Sequence, residues 1–492
     1  MKHRVLTLAA LLLAPLPTLS AADSPRPNIV FIYADDWGWG DLSCHGHAWL
    51  KTPHLDRLAA EGTDFQQFNV LNPVCSPSRT AAMTGHFPAR YAIHQHFAAP
   101  AQNLKRDMPD WLDPQAPTTA RFFQQAGYRT GHFGKWHLTS RNTPGAPSPT
   151  AYGFDEFAIF NGGAETPEAG LHDTPDNAVK FIHANKGRPF YVNVWLHESH
   201  LPHVPTKASM EKWKHLDEQK QVYAAVITDG DNAVGRVLAA LKTAGVEQYT
   251  LVIFSSDNGP ESTGGAKEKG PRDPDTDETA SGATGYGGYY SIGSTGGLRG
   301  RKRSLFEGGV RVPFLVRWPG RTSAGVKNET TVLTAVDLLP TLCAAADVAL
   351  PANYRGDGEN LLAAFKGQAV ARTRPIFWEW TGKKAEPDWW PRLAARDGDW
   401  KLLLTDDAQR VALHHIPSDR TESANVAQAH PEIVARLTQL ALAWKATLPL
   451  KPDPACMSAA DHPGEKSKTE KRRKNAPAPA APAKKATDDD RR

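Results

Sequence analysis

The chain has 492 residues, a net charge of +4 and four cysteines. This length suits one large domain with a smaller one, and the few cysteines exclude a disulfide scaffold. The basic balance lies in residues 461–492, with 10 Lys and Arg against 6 Asp and Glu, so the rest of the chain is neutral and we expect no nucleic-acid partner.

Residues 1–22 have the pattern of a signal peptide. Lys2-His3-Arg4 form a basic start, residues 5–13 an apolar run, and Ser20-Ala21-Ala22 a small-residue cleavage site. The apolar run is shorter than a membrane-spanning helix requires, although a retained N-terminal anchor is the alternative. We therefore expect an exported protein, periplasmic or secreted, without a stable membrane span.

Continuous apolar runs predict buried strands of an α/β sheet. They occupy residues 28–34, 190–196 and 250–254, and helical segments such as residues 223–241 separate them. This order predicts an α/β fold, a wound sheet with helices on both faces. Each strand ends in polar residues, and open α/β sheets bind their ligands at the carboxyl ends of strands.

Two of these strand ends carry oxygen ligands. Asp35 and Asp36 follow the first strand, and Asp257 and Asn258 follow the third. A single aspartate at such a place is ordinarily a helix cap or turn former. Hard oxygen donors with three negative charges suit calcium or magnesium better than zinc, so the two matching pairs predict a metal site.

Cys75 opens the segment Cys75-Ser76-Pro77-Ser78-Arg79, which runs on to Thr84-Gly85. We expect a helix here with Ser76 as N-cap, Pro77 at the first position and Gly85 as its stop. Cys75 then lies before a helix N-terminus, which favours negative charge. The simplest interpretation of Cys75 alone is a buried thiol ahead of a helix.

The Cys75 segment resembles the C-x-P-S-R signature of the formylglycine-dependent sulfatases, in which the cysteine is oxidised to an aldehyde. Two further blocks resemble the same family: Gly134-Lys135-Trp136-His137 fits G-K-x-H, and residues 300–313 fit G-x-K followed by E-G-G-x-R-V-P. Taken alone, the first block also suits a snorkelling lysine and the second a solvated basic loop.

The resemblance implies roles for individual residues. Lys135 and Lys302 contact the sulfate, and His137 contacts the formylglycine hydroxyl and takes its proton. Arg79 binds and orients the formylglycine. One calcium ion per chain is held by a set of five residues: Asp35, Asp36, Cys75 in its modified form, Asp257 and Asn258.

Histidines supply the remaining candidates. The H-x-P element of the family matches His200-Leu201-Pro202 best and makes His200 the acid that protonates the leaving alcohol, although His203-Val204-Pro205 also fits. The spacing of His197, His200 and His203 allows a zinc cluster, but the chain here is a strand end and a proline-rich loop without helical register. His94 and His96 are candidates for the substrate pocket.

The resemblance covers residues 26–450 and implies a large mixed sheet sandwiched by helices, with a smaller C-terminal antiparallel-sheet subdomain. We expect the catalytic domain in residues 23–370 and the subdomain in residues 371–455. The Lys/Pro/Ala-rich residues 456–492 have the composition of a disordered tail. The Gly-rich residues 264–296, with Tyr286, Tyr289 and Tyr290, suit a substrate-binding rim.

The function implied is hydrolysis of sulfate esters on a sulfated carbohydrate. Its partners are a sulfated glycan and a formylglycine-generating or anaerobic maturation enzyme. One alternative is a phosphodiesterase or phosphonate monoester hydrolase with the same formylglycine. The other is a glycan-binding protein without activity, if Cys75 is not converted.

Overall fold

The computed structural model of the chain describes residues 26–141, 143–270, 285–381 and 390–459. The predicted signal peptide lies outside these residues. The strands are β1 Asn28–Ala34, β2 Thr63–Phe65, β3 Phe68–Asn69, β4 Arg129–Lys135, β5 Glu156–Phe160, β6 Phe190–Trp195, β7 Thr250–Ser256, β8 Phe314–Arg317, β9 Val326–Asn328, β10 Leu333–Thr334, β11 Ile376–Glu379, β12 Leu393–Asp397, β13 Trp400–Leu404 and β14 Val411–His415.

The α-helices follow the same chain order. They are α1 Pro53–Ala60, α2 Cys75–Thr84, α3 Pro100–Leu104, α4 Thr119–Gln125, α5 Thr174–Asn185, α6 Lys207–Lys212, α7 Glu218–Thr243, α8 Glu307–Val310, α9 Leu338–Ala345, α10 Leu362–Phe365 and α11 Pro431–Lys445. Among the described residues, no helix combines the length and the apolar character that a membrane crossing needs.

The main sheet has eight strands in the order β5-β4-β6-β1-β7-β8-β2-β9. Five neighbouring strands, β5 to β7 in this order, are parallel, and β8 runs antiparallel to both β7 and β2. β3 and β10 form a separate parallel pair, and β11 to β14 an antiparallel sheet of four strands. The predicted fold class, a large mixed sheet with a smaller antiparallel one, is confirmed.

Side chains of β1 alternate between two hydrophobic cores. Ile29, Phe31 and Tyr33 pack into the core that contains α2, α4 and α9, and Val30 and Ile32 pack into the core that contains α1, α5 and α7. Because both faces of the sheet are covered, β1 and its neighbour β6 are almost entirely apolar. The polar residues that follow these strands therefore stand at the edge of a rigid layer.

The small sheet packs against the first of these cores through its own apolar face and α11. Phe377 of β11 stacks on Trp444 of α11 with ring centroids 5.1 Å apart. Lys401 of β13 also reaches the main domain, where its Nζ lies 2.8 Å from Glu307 Oε1. The two sheets therefore share apolar packing and a buried ion pair.

Two local expectations are wrong. Helix α2 begins at Cys75 with Val74 as its N-cap, so Ser76 lies inside the helix, whereas Gly85 ends it in the left-handed region as expected. The tail does not begin at residue 456, because Cys456 and Ser458 are buried and the Cys456 carbonyl accepts a hydrogen bond from the Asp110 N–H. Residues 460–492 lie outside the described residues.

Candidate active site

The candidate site lies where four adjacent parallel strands end. β4, β6, β1 and β7 are neighbours in the sheet, and parallel strands bring their carboxyl ends to one edge. The residues that follow them are those singled out from the sequence: Lys135 and His137, His197 and His200, Asp35 and Asp36, and Asp257 and Asn258.

Oxygen atoms form the centre of the site. Asp35, Asp36 and Asp257 each place a ligand oxygen within 4.8 Å of the other two. The Asn258 amide donates to Asp36 Oδ1 at 2.6 Å, and the Asp36 N–H donates to Asp257 Oδ1 at 3.2 Å. Asp35 Oδ1 and Asn258 Oδ1 are buried and accept no hydrogen bond from any described residue.

Each of the three carboxylates is paired with a buried cation. Lys135 Nζ lies 2.5 Å from Asp35 Oδ2, and Lys302 Nζ lies 2.6 Å from Asp36 Oδ2. Burial opposes ionisation of Asp35, but Lys135 holds the pKa of this carboxyl well below its ordinary value. Burial likewise opposes the charge on Lys302, but Asp36 raises the pKa of this ammonium.

The third pair joins Arg79 to Asp257. The Arg79 guanidinium donates to Asp257 Oδ2 from Nε at 3.0 Å and from Nη2 at 2.7 Å. Its other faces are covered by the rings of Tyr33 and Trp195, whose centroids lie 5.5 and 4.9 Å away. Burial nevertheless raises the pKa of Asp257 to about 7, and Asp35 adds to the effect.

These residues fit a divalent cation that prefers oxygen ligands. Three carboxylates and one amide converge, and two of their oxygens are buried without a hydrogen bond, a costly state unless a cation contacts them. Carboxylate and amide oxygens are ligands of Ca²⁺ and Mg²⁺. Asp35, Asp36, Asp257 and Asn258 are therefore the residues that would hold such an ion.

Cys75 begins α2 and is 3% exposed. It is present as the unmodified thiol, whose Sγ stands in for the oxygen that a formylglycine would carry. Sγ lies 3.2 Å from His137 Nδ1, and His137 Nε2 lies 3.2 Å from the Phe97 carbonyl oxygen. Because a carbonyl only accepts, Nε2 carries the proton and Nδ1 presents its lone pair to residue 75.

Electrostatics keep both groups neutral. Burial raises the pKa of the Cys75 thiol. Burial lowers the pKa of His137 well below its ordinary value, and Lys135 lowers it further. A neutral imidazole with its lone pair facing residue 75 is suited to accept a proton from that residue.

The structure separates the two candidate acids. The His200 Nδ1 donates to the Leu201 carbonyl at 2.7 Å, which leaves Nε2 as the exchangeable nitrogen, 4.0 Å from Asp36 Oδ2. Its side chain is 24% exposed. His203 is fully buried, and its Nε2 lies 3.0 Å from the Ser291 hydroxyl. His200 therefore belongs to the open side of the site, and His203 fixes a loop.

The structure places the two predicted substrate residues, His94 and His96, in different surroundings. The His96 ring lies 6.4 Å from the His137 ring, and burial lowers its pKa to about 3, with Arg106 as the next cause. His94 instead contacts the Arg106 carbonyl at 2.9 Å and lines a separate cavity of about 370 Å³ with Glu379. His96 is the one of the pair that the structure brings to the site.

Within residues 264–296, residues 271–284 lie outside the described part of the chain. Tyr286 and Tyr290 are buried with Val222, and Tyr286 pairs with His203 through two backbone hydrogen bonds of 2.8 Å. Only Tyr289 of the three predicted rim tyrosines is partly exposed. Tyr286 and Tyr290 therefore support the loop and do not form its rim.

Two residues of the site were missed as such in the sequence. His197 donates from Nδ1 to Asp35 Oδ2 at 2.5 Å. Glu261 lies 3.4 Å from Lys302 Nζ and is paired with Arg303. Burial opposes ionisation of Glu261, but Lys302 lowers its pKa to about 2. Their positions in the sequence could have indicated both residues. Glu261 follows Asn258 by three residues, and His197 directly follows the apolar run of residues 190–196.

Known proteins resemble this chain along most of its length. The profile of the sulfatase family matches residues 27–348. The profile described as N-sulphoglucosamine sulphohydrolase, C-terminal, matches residues 300–445. The mouse (Mus musculus) steryl-sulfatase is 31% identical over 457 residues, which cover 74% of this chain and 69% of the relative.

A bacterial relative and a solved structure cover more of the chain. An N-acetylgalactosamine-6-O-sulfatase of Bacteroides thetaiotaomicron is 26% identical over 511 residues, which cover 85% of this chain and 93% of the relative. The crystal structure of Ps i-CgsB in complex with k-i-k-neocarrahexaose matches with a TM-score of 0.70 and 25% identity, over 85% of this chain and 92% of that one.

Proposed function

The chain belongs to the sulfatase family and is a sulfuric ester hydrolase, and from this premise we propose that it removes sulfate from carbohydrates with a formylglycine made from Cys75 and one calcium ion. The observation that carries the proposal is the position of Cys75. It lies at the start of a buried helix, 3.2 Å from His137 Nδ1, and the charges of Lys135 and Lys302 both act on it.

The chain's own cations bind the sulfate group in this proposal. Lys135 and Lys302 carry buried ammonium groups at the site, and burial strengthens their attraction for an anion. Arg79 is held by Asp257 and between two aromatic rings, so it fixes the first turn of α2 and the residue at position 75. A hydrated formylglycine supplies a hydroxyl nucleophile and a second hydroxyl that allows sulfate to leave.

Two histidines move protons in opposite directions. His137 Nδ1 faces residue 75 with its lone pair and accepts a proton there. As the imidazolium, with Nδ1–H held by the Leu201 carbonyl, His200 carries its second proton on Nε2 beside Asp36 and gives it to the oxygen of the leaving alcohol. Burial and then Lys135 lower the pKa of His200 well below its ordinary value, so this imidazolium is a strong acid. Asp35, Asp36, Asp257 and Asn258 would hold a calcium ion, which would supply positive charge that stabilises the transition state.

Conversion of Cys75 requires access to a side chain that is 3% exposed. We therefore propose that a formylglycine-generating or anaerobic maturation enzyme acts on the segment before α2 is packed. Export, periplasmic or secreted, belongs to the same proposal and rests on the pattern of residues 1–22.

The carbohydrate part of the proposal is supported by the relatives. One is named an N-acetylgalactosamine-6-O-sulfatase, and the solved structure was obtained in complex with k-i-k-neocarrahexaose. His96 offers an additional polar group near His137.

The proposal is tested by comparing kcat/KM for sulfate esters and phosphate diesters that have the same sugar hydroxyl as leaving group. Peptide mass spectrometry examines position 75. We expect the sulfate esters to be preferred and an aldehyde to be present. Preference for the diesters would favour the phosphodiesterase alternative. Glycan binding without turnover, with an unmodified thiol from a competent host, would favour the inactive glycan-binding protein.

A further inference from the structure

A second cluster of metal-ligating side chains lies outside the active site. Cys44 and His45 belong to a short 3₁₀ turn after β1, and Asp64 belongs to β2. Their ligand atoms all lie within 4.8 Å of one another. Of the groups of potential metal ligands in the described part of the chain, this one contains a thiol, whereas the other two consist of carboxylates and imidazoles.

The hydrogen bonds of His45 leave its contact with Asp64 without an assigned donor. His45 Nδ1 lies 2.6 Å from the Trp39 carbonyl oxygen, which only accepts, so Nδ1 carries a proton. His45 Nε2 then presents a lone pair, and it faces Asp64 Oδ2 at 2.9 Å. An imidazole lone pair and a carboxylate oxygen are both acceptors, so the contact needs either an added proton, which would make it an imidazolium–carboxylate ion pair, or a metal ion.

Asp64 gives an independent sign of a missing partner. Its second oxygen, Oδ1, is buried and accepts no hydrogen bond from any described residue. The His45 and Asp64 side chains are 1% and 3% exposed, so water does not readily replace that partner. A buried carboxylate oxygen without a partner is costly, and a metal ion would remove that cost.

The surroundings hold the three residues in place. The His45 ring stacks on Trp39 with centroids 4.3 Å apart. The Cys44 N–H donates to Asp56 Oδ1 at 2.8 Å, and the Ser43 hydroxyl donates to Asp56 Oδ2 at 2.6 Å. An imidazole whose other nitrogen donates to a backbone carbonyl is the usual arrangement of a histidine that binds a metal.

We propose that Cys44 Sγ, His45 Nε2 and the Asp64 carboxylate bind one Zn²⁺ ion, distinct from the cation of the active site. Thiolate and imidazole ligands select zinc over calcium or magnesium. Binding releases the thiol proton of Cys44 to solvent and forms the zinc–sulfur bond, and the two negative ligands balance the charge of the ion. The site ties the turn after β1 to β2.

Cobalt is a suitable probe, because Co²⁺ bound by a thiolate gives a charge-transfer band that oxygen and nitrogen ligands do not give. The experiment uses the full chain as the Cys75→Ala variant, so that the active-site thiol cannot contribute. The protein is freed of transition metals, supplied with excess calcium and titrated with cobalt. We expect the band to saturate at about one ion per chain, the content of a single three-ligand site, and Zn²⁺ to displace the cobalt and raise the Tm.

Variants show which residues give rise to the charge-transfer band. Cys44→Ser in the same background should lose it, and Cys456→Ser, which removes a thiol elsewhere in the chain, should keep it. Asp64→Asn should weaken cobalt binding about tenfold or more, and this variant carries the test if Cys44→Ser fails to fold. Absence of the band in folded protein, or a band that survives Cys44→Ser, would overturn the proposal.

Discussion

Replacing His200 by alanine tests which histidine serves the leaving group. His200 has its Nδ1 fixed on the Leu201 carbonyl and its Nε2 free on the open side of the site. The alanine variant removes that nitrogen without removing a carboxylate, lysine or arginine of the site. The expected loss concerns only substrates whose leaving oxygen needs a proton.

General acid catalysis contributes about 10²- to 10⁴-fold to a rate, or about 2.7–5.5 kcal/mol of transition-state stabilisation. We therefore expect His200→Ala to lower kcat/KM for a sugar sulfate by that factor. Nitrophenyl sulfate has a leaving group that departs without protonation, so its kcat/KM should fall by less than about tenfold.

His203→Ala is the matched control. His203 is fully buried and contacts Ser291, so its removal should lower the free energy of unfolding by about 1–3 kcal/mol and leave the ratio of the two kcat/KM values unchanged. The assay is that ratio for each variant, measured with calcium present. Equal losses on both substrates for His200→Ala, or a selective loss for His203→Ala, would refute the assignment.

Three further predictions concern the nucleophile, the metal and a buried histidine. Cys75→Ala should abolish turnover of sulfate esters without lowering the Tm by more than a few degrees, as rate assays and thermal unfolding would show; retained turnover contradicts the proposed nucleophile. Asn258→Leu removes an oxygen that accepts no hydrogen bond, so calcium should bind about tenfold more weakly or worse in a calorimetric titration, while unchanged affinity would exclude Asn258 as a ligand. Burial lowers the pKa of His132 to about 3, so below pH about 6.5 the unfolded state binds a proton that the folded state does not, and stability falls by about 1.4 kcal/mol per pH unit as pH decreases. Urea unfolding at pH 5 and pH 7 should show a smaller loss in His132→Gln, and an identical loss would contradict this.

The strands and their polar ends could be predicted because a strand that is buried on both faces is a run of apolar residues in the sequence. β1 and the first part of β7, residues 250–254, are mainly apolar runs, and each strand is followed by oxygen ligands. What the sequence does not contain is the order of the strands in the sheet. That order places β6 beside β1 and so brings His197 to Asp35.

The start of α2 was predicted two residues too late for a physical reason. The first N–H groups of a helix have no partner within it, so proline is tolerated at several positions of the first turn. Pro77 therefore does not fix where the helix begins, and Val74 is the N-cap. The separation of His94 from His96 is similar, because the chain between residues 92 and 97 is irregular and gives the two side chains no common face.

The loop that carries Lys302 depends on a buried charge network at the small sheet. Lys401 Nζ lies 2.8 Å from Glu307 and 3.0 Å from Glu422. The Glu307 N–H donates to Glu422 at 2.5 Å, and Arg299, three residues before Lys302, donates to the Glu422 carbonyl at 3.3 Å. The C-terminal sheet therefore helps to position the loop of Lys302, the lysine that we propose binds the sulfate.

The substitution Lys401→Met tests this dependence through the effect of pH on the free energy of unfolding. Breaking a buried ion network costs about 3–5 kcal/mol. Burial already raises the pKa of Glu422 to about 7, while Lys401 opposes that rise, so without Lys401 the pKa rises further. A carboxyl whose pKa is raised in the folded state destabilises that state above its unfolded pKa of about 4.3. The penalty of Lys401→Met should therefore be larger at pH 8 than at pH 5.5 in urea unfolding, and kcat/KM for sulfate esters should fall with it. Lys445→Met, which removes a partly exposed ion pair with Asp406, should cost less than about 1 kcal/mol at both pH values. If Lys401→Met costs no more than this control, or costs the same at both pH values, the network does not hold the loop through its charges.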